Sequence, residues 1–466
     1  MYIKFNFLTS ASCALLLLLL NTAMSQAQVN TNSIGGAFMV QNQNGPCLTQ
    51  AERNFYQSEI VKNRTILQAA GKLQQRSNAL VLFDWPIAGD ANEQYSKVWA
   101  ISNYFDHDPS TNSLQDYNCG TRTYDTSNGY DHAGVDIFTW PFSWKLMDED
   151  RAHVIAAQEG QIVFKQDGNF DRSCDFNNNS WNAIFVEHSD GSVAWYGHFK
   201  NGSLTSKNVG DMVAQGEYLG VVGSSGNSTG PHLHFELYNN IGDLIDPYDG
   251  KCNATNPGQT WWADQKPYLN SGINAALTHS AFPDFGNCPQ TEISYESTQF
   301  DPNDSVIFAS YYSDQRSGTT SNHTLIDPNG NVHVSWQKDF DNDYYASWWV
   351  RTYNVSDLEG TWTYRVTYFG ETVNHTFNVG VLGVEDQKEQ SVSLYPNPAK
   401  TMINIDAAFP IQSIILYDLL GTKVVEKQQL FQQKTEIAVS HLSSGIYFTR
   451  VADAEGNYQL IKFIKE

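Results

Sequence analysis

The sequence predicts a mainly β, modular chain, and three observations carry that expectation. Apolar and polar residues alternate over long stretches: Trp362, Tyr364, Val366 and Tyr368 fall on one face, with Thr361, Thr363, Arg365 and Thr367 on the other. That is the two-residue period of a half-buried strand. Turn signals such as Asp327-Pro328-Asn329-Gly330 separate such runs. At 466 residues the chain also exceeds one ordinary domain, and its length suggests about three.

Taken in order, residues 1–27 read as a secretory signal peptide. Lys4 precedes an apolar stretch culminating in Leu15–Leu20, and Ser25-Gln26-Ala27 offers a small-residue cleavage site. No later segment approaches the roughly 20 apolar residues of a membrane helix. The expectation is an exported chain without a membrane span, secreted or held at the cell surface. Residues 28–78 form an N-terminal helical, propeptide-like segment. Its first part, 28–47, is rich in Asn, Gln and Gly and is expected to lack structure. Thr49-Gln50-Ala51-Glu52 reads as a capping box, and Phe55, Tyr56, Ile60, Ile66, Leu67, Ala70 and Leu73 give a helical stripe. The stripe packs a helix against the next domain. A propeptide-like cover over that domain's groove comes second to this packing role, and is tested by whether trimming to about residue 78 raises activity.

Residues 79–250 carry the chemistry, and 251–289 read as an irregular, disulfide-tied connector. Over 290–380 the alternation predicts an immunoglobulin-like β-sandwich, with Trp336, Trp348 and Trp349 assigned to packing ahead of a glycan-binding surface. Residues 381–390 are a charged linker. The last segment, 391–466, has strands separated by Gly and Pro turns, enough for a small β-sandwich. Net charge is −22, which disfavours nucleic acid and anionic lipid as partners.

Five cysteines remain beyond the leader: Cys47, Cys119, Cys174, Cys252 and Cys288. In an exported chain without a Cys-x-x-Cys pair they read as disulfides. The expected pairs are Cys119–Cys174, bracing long loops, and Cys252–Cys288, tying down the connector. Each closes a loop worth about 4 kcal/mol in the chain-entropy picture. Cys47 is left over.

Three strings hold the candidate site: His132-Ala133-Gly134-Val135-Asp136, Tyr196-Gly197-His198 and Gly230-Pro231-His232-Leu233-His234-Phe235-Glu236. They supply four histidines and a carboxylate, donors that suit zinc with one position left open for water. The run from His232 to Glu236 alternates as a strand, which puts His232 and His234 on one face roughly 6–7 Å apart. Both can converge on one ion, or one can bind while the other reaches a water, and spacing alone does not choose. His132 and Asp136 would sit roughly 13 Å apart on a straight strand. Gly134 resolves this only if the backbone bends or bulges there.

These strings, with Trp85-Pro86-Ile87 before and Asp246-Pro247 after, resemble the lysostaphin/LytM-type zinc endopeptidases, family twenty-three of the metallopeptidases, from about Leu80 to Asp249. The resemblance implies a compact antiparallel β domain with a groove, of the duplicated hybrid motif type. It implies one zinc ion on His132, Asp136 and His234. It makes His232 and His198 the pair that activates water and stabilises the tetrahedral intermediate. It implies peptidoglycan peptide bridges as substrate. The segments 139–150 and 167–180 exceed the family's short connections and are expected to reshape the groove walls. Leu394-Tyr395-Pro396-Asn397-Pro398, Tyr417-Asp418-Leu419-Leu420-Gly421 and Leu442-Ser443-Ser444-Gly445-Ile446-Tyr447 resemble the C-terminal sorting domain of the type IX secretion system of Bacteroidota. That implies its secretion machinery as a partner.

Among the remaining histidines, His188 reads as orienting a strand end and His153 as packed or as a hydrogen-bond partner behind the site. His107, His279, His323, His333, His375 and His441 read as surface or β-face residues, and Glu236 as a possible hydrogen-bond partner behind the site. Two rivals stand beside the peptidoglycan endopeptidase: a protease of glycine-rich, elastin-like extracellular protein, and a surface adhesin whose catalytic unit is idle.

Overall fold

The computed structural model describes residues 34–38, 45–77, 80–288, 291–380, 392–419, 421–453 and 458–466. The predicted leader and the 381–390 linker lie outside them. Among the described residues the chain is mainly β. It divides into two compact units, residues 1–380 and 381–466.

An antiparallel sheet organises the first unit. Its strands run in the order Trp99–Asn103, Val135–Thr139, His232–Tyr238, Val193–Gly197, Ala183–Glu187, Gly160–Gln166 and Met212–Val213, with Leu244–Ile245 paired to His232–Tyr238. The His232–Tyr238 strand is central and buried along its whole length. Alternation splits its side chains between two faces. Leu233, Phe235 and Leu237 enter the main apolar core with Val135, Ile137, Val154 and Leu219. A small sheet of Tyr218–Val221, Ala152–Ile155 and Ile87–Gly89 contributes to that core. His232, His234, Glu236 and Tyr238 take the opposite face. There, Phe164, Trp181, Phe185 and Trp195 form an aromatic cluster with Cys47, Leu48, Tyr56 and Ile60 of the N-terminal segment.

The helix Gln50–Ala69 covers this second face. Its predicted capping box is present: the Thr49 hydroxyl accepts from the Glu52 amide at 3.2 Å, and the Glu52 carboxylate accepts from the Thr49 amide at 2.8 Å. Arg53, Tyr56, Ile60 and Leu67 face inward. Phe55 and Ile66, expected in the stripe, are exposed, because the buried face is set at one edge by the Arg53 ion pair described below. The predicted lack of structure over 28–47 is also corrected for its described part. Ile34–Ala37 is a strand paired with Tyr344–Asn354, and Phe38 packs on Trp140 with ring centroids 4.5 Å apart.

A two-sheet sandwich follows. One sheet orders Ile34–Ala37, Tyr344–Asn354, Ser305–Gln315 and Gly272–His279; the other orders Gln299–Phe300, Glu371–Val379, Gly360–Tyr368, Thr319–Ile326 and Val332–Phe340. Trp362, Tyr364, Val366 and Tyr368 form its core with Phe308, Tyr312 and Phe377. Gly272–His279 falls in the stretch read from sequence as an irregular connector. All eight of its residues are buried, so it shows no polar alternation to mark it as a strand. Trp336 and Trp349 pack against the sandwich core, and Trp348 against the main core. The sheet's other face reaches that main core through Ala275, Leu277, Ile307, Ala309 and Tyr311.

The disulfides differ from the expected pairing: Cys119 bonds to Cys252 and Cys174 to Cys288. Both bridges tie a loop of the first domain to the segment after it. That proximity is made by sheet pairing across more than a hundred residues, which sequence spacing does not encode. The C-terminal unit is one hydrogen-bonded system of Val392–Tyr395, Met402–Tyr417, Lys423–Ala438, Gly445–Ala452 and Tyr458–Lys465. Its long strand pair changes register between Asp406 and Ile411, over a core of Ile403, Ile405, Ile414, Leu416 and Phe463.

Candidate metal centre

Strand register brings the three strings together. His234 pairs with Asp136 on one side and with Gly197 on the other, so His198 follows directly from a partner of His234. His132 lies just before the strand Val135–Thr139, and the chain bends at Gly134. The bend that the sequence required is therefore present. A Cβ at Gly134 would lie 2.7 Å from the Phe235 carbonyl oxygen and 2.9 Å from the His234 ring, so only glycine fits. Gly134→Ala is expected to push the His234 ring aside. It should cost about 1–3 kcal/mol of stability and weaken metal affinity together, as measured by thermal melts with and without added zinc.

The geometry gathers His132, Asp136 and His234 at one point. Asp136 lies 3.2 Å from His132 Nε2 and 2.7 Å from His234 Nδ1, and those two nitrogens are 3.4 Å apart. Each ring is turned by a bond at its other nitrogen. His132 Nδ1 donates to the Tyr104 carbonyl at 2.7 Å, and His234 Nε2 donates to Glu236 at 2.7 Å. Such outer partners set the tautomer and point the remaining nitrogen inward. Asn103 Nδ2 donates to Asp136 at 3.1 Å. Burial works against the Asp136 charge, but the imidazoles of His132 and His232 outweigh it and hold the carboxyl well below its ordinary range.

His198 and His232 stand beside this cluster, ring centroids 4.4 Å apart. His198 Nδ1 donates to the Ser225 carbonyl at 2.6 Å and His232 Nδ1 to the Gly230 carbonyl at 2.8 Å. Both Nε2 atoms are thus left as acceptors facing the cluster, with His232 Nε2 3.6 Å from Asp136. His198 has φ +67°, left-handed backbone that costs a non-glycine residue about 1–3 kcal/mol. The turn lets its ring fold back over the strand it has just left. Burial depresses the basicity of both rings, and neighbouring imidazoles depress it further.

Three residues at the site escaped the sequence reading. Glu236, anticipated as a partner of His234, is itself gripped by Arg53, whose two terminal nitrogens donate to its two oxygens at 2.6 and 2.8 Å. Tyr238 adds a third bond at 2.9 Å. Burial opposes ionisation of Glu236, but Arg53 and His234 outweigh it and hold the carboxyl down at about 2. Cys47 is the third, a free, buried thiol with Sγ 3.0 Å from His198 Nε2. Its one signal in the sequence was its odd number. Of the histidines read as surface or β-face residues, His279 and His323 do lie on strands, facing inward, whereas His107 lies in no strand and its side chain is buried against Asp246 at 2.8 Å.

His232 opens onto a cleft of about 420 Å³ walled by Phe38, Trp144, Phe285 and Trp348. Of the two long segments, 139–150 lines the cleft through Ser143 and Trp144, whereas no lining residue comes from 167–180. Trp144 belongs to the short helix Ser143–Asp148, and Phe176 abuts Gly45, at 3.0 Å from where a Cβ would stand.

Two segments of the chain match known families. Residues 131–247 match Peptidase family M23, and residues 393–466 match the secretion system C-terminal sorting domain. The chain is 41% identical over 66 residues to the DD-carboxypeptidase/endopeptidase Mpg of Neisseria meningitidis, covering 14% of each protein. It is 29% identical over 115 residues to the cell division protein DipM of Caulobacter vibrioides, covering 22% of this chain and 18% of that protein. The chain thus spans under a fifth of the length of either relative. Among solved structures it is similar to the catalytic domain of the antimicrobial peptidase lysostaphin from Staphylococcus simulans. There the identity is 31% and the TM-score 0.20, over 27% of this chain and 83% of that one.

Proposed function

We propose, for a chain that carries a Peptidase family M23 domain at residues 131–247, that it is an exported zinc endopeptidase cutting peptide bonds in peptidoglycan cross-bridges. The observation that carries this reading is the buried cluster of His132, Asp136 and His234 with two acceptor imidazoles at its side.

The donor set fits zinc. In a tetrahedral site with ligands at about 2.0–2.1 Å, neighbouring donors stand about 3.3 Å apart; His132 lies 3.2 Å from Asp136 and 3.4 Å from His234, and Asp136 and His234 are closer, at 2.7 Å. His132 through Nε2, His234 through Nδ1 and the Asp136 carboxylate would hold the ion. When bound, zinc supplies Lewis acidity at the scissile carbonyl and makes a neighbouring water more acidic.

The chain's own groups then move the proton. His232, neutral at Nε2, accepts it from the attacking water, and Asp136 3.6 Å away favours the imidazolium that results. His232 then delivers the proton to the leaving amine. His198 is set in the same tautomer by Ser225, so it donates to the oxyanion only when it carries a proton. The aromatic-walled cleft that ends on His232 gives a peptide a place to lie. The Neisseria meningitidis relative is a DD-carboxypeptidase/endopeptidase, which supports a peptide bond as the one cut. The match of residues 393–466 to a secretion sorting domain supports export through type IX machinery to the surface or beyond. Among the described residues, no helix is long and apolar enough to cross a membrane.

The mature secreted protein, incubated with purified sacculi, is expected to release soluble fragments bearing new amino termini, and a chelator should stop the release. Chelator-sensitive cleavage of elastin with intact sacculi would transfer the assignment to the extracellular-protein reading. Cleavage of neither would favour an adhesin.

A further inference from the structure

We infer that Cys47 closes the metal centre. Its thiolate occupies the position that water needs, and the N-terminal segment holds the enzyme latent until it is displaced. The inference rests on the zinc reading above and adds its regulation.

Two groups of ligand-type residues lie here: His132, Asp136 and His234, and Cys47, His198 and His234. Within each group the candidate ligand atoms all fall within 4.8 Å of one another. His234 is common to both, and Cys47 Sγ stands 3.0 Å from His198 Nε2, which places the thiol beside the triad on the side of His198. In an exported chain whose other described cysteines are paired, a single free thiol needs a reason. Ligation supplies it, since zinc binds thiolate strongly. On binding, the S–H bond breaks, the proton leaves to solvent, and the sulfur lone pair fills the open position. Activation reverses this: the sulfur regains a proton and withdraws, and water takes its place.

Cys47 is also held in place independently. Upstream, Ile34–Ala37 is bonded into the sandwich sheet and Phe38 is wedged against Trp140. Immediately before it, the Pro46 carbonyl accepts from Asn227 at 3.0 Å, in the loop that leads to His232. Immediately after it, the capped helix begins. Arg53 clamps Glu236, the residue that orients His234, and Tyr56 sits edge-on to Phe164, Phe185 and Trp195. The segment is thus anchored on both sides of the thiol and lies over the face of the sheet that carries the site.

The test uses the full, unprocessed chain loaded with cobalt(II) in place of zinc, beside its Cys47→Ser variant. The parent is expected to show thiolate-to-cobalt charge transfer in the near ultraviolet and Cys47→Ser to lack it. Acetohydroxamate, small enough to enter by the cleft at His232, should change the visible bands of Cys47→Ser and leave those of the parent unaltered. Cys47→Ser, reloaded with zinc, should hydrolyse a short cross-bridge peptide about tenfold faster or more, since only the uncovered fraction of the parent is competent. A parent without the sulfur band, or one as active as the variant, overturns the inference and leaves the peptidase reading intact. A Cys47→Ser chain that binds acetohydroxamate yet cuts no peptide overturns the peptidase reading, and latency with it, while the spectrum still decides whether sulfur is a ligand.

Discussion

His234→Ala is expected to leave the chain without bound zinc and without activity. Four-ligand zinc sites hold their ion with roughly 10–16 kcal/mol, so losing one ligand removes about 3 kcal/mol or more, over a hundredfold in affinity. His234 belongs to both ligand groups, so its loss also strips the second arrangement of its shared member. The purified variant should carry only traces of metal by elemental analysis. The change also removes the partner of Glu236 Oε1, but Arg53 and Tyr238 still satisfy that carboxylate. The fold should therefore survive, as a cooperative melt would show. Retention of one zinc per chain would remove His234 from the ligand set.

His232→Ala is expected to separate binding from turnover. His232 lies 3.6 Å from Asp136 and is fixed by its own loop through the Gly230 carbonyl, so no ligand depends on it for orientation. Zinc content should match the parent. Hydrolysis by the mature protein should fall by about 10²–10⁴, the usual contribution of a general base, with the loss in kcat and little change in KM. A variant with near-parental kcat would transfer the base role elsewhere, and His198 is the group placed to take it.

Much of the site was legible in the sequence because its parts are local. The strand register of His232–Glu236, the need for a bend at Gly134 and the Thr49 capping box each follow from a few adjacent residues. The face of Trp362, Tyr364, Val366 and Tyr368 was legible for the same reason. What escaped depends on long-range apposition. Arg53 meets Glu236 across 183 positions and Cys47 meets His198 across 151, and nothing near either residue announces its partner. The disulfides were paired by proximity in sequence, whereas the sheet places Cys119 beside Cys252 and Cys174 beside Cys288. Gly272–His279 was hidden by burial on both faces, which erases alternation. His279 and His323 lie on strand faces as expected, but which face is buried depends on the hydroxyls of distant tyrosines, Tyr311 and Tyr364, that satisfy them inside the protein.

The most direct test of the account is anomalous diffraction at the zinc absorption edge from crystals of the full chain grown with zinc. The account predicts one peak in the first domain, within about 2.0–2.2 Å of His132 Nε2, His234 Nδ1 and an Asp136 carboxylate oxygen. A peak coordinated by other residues, or none at full zinc loading, would contradict it.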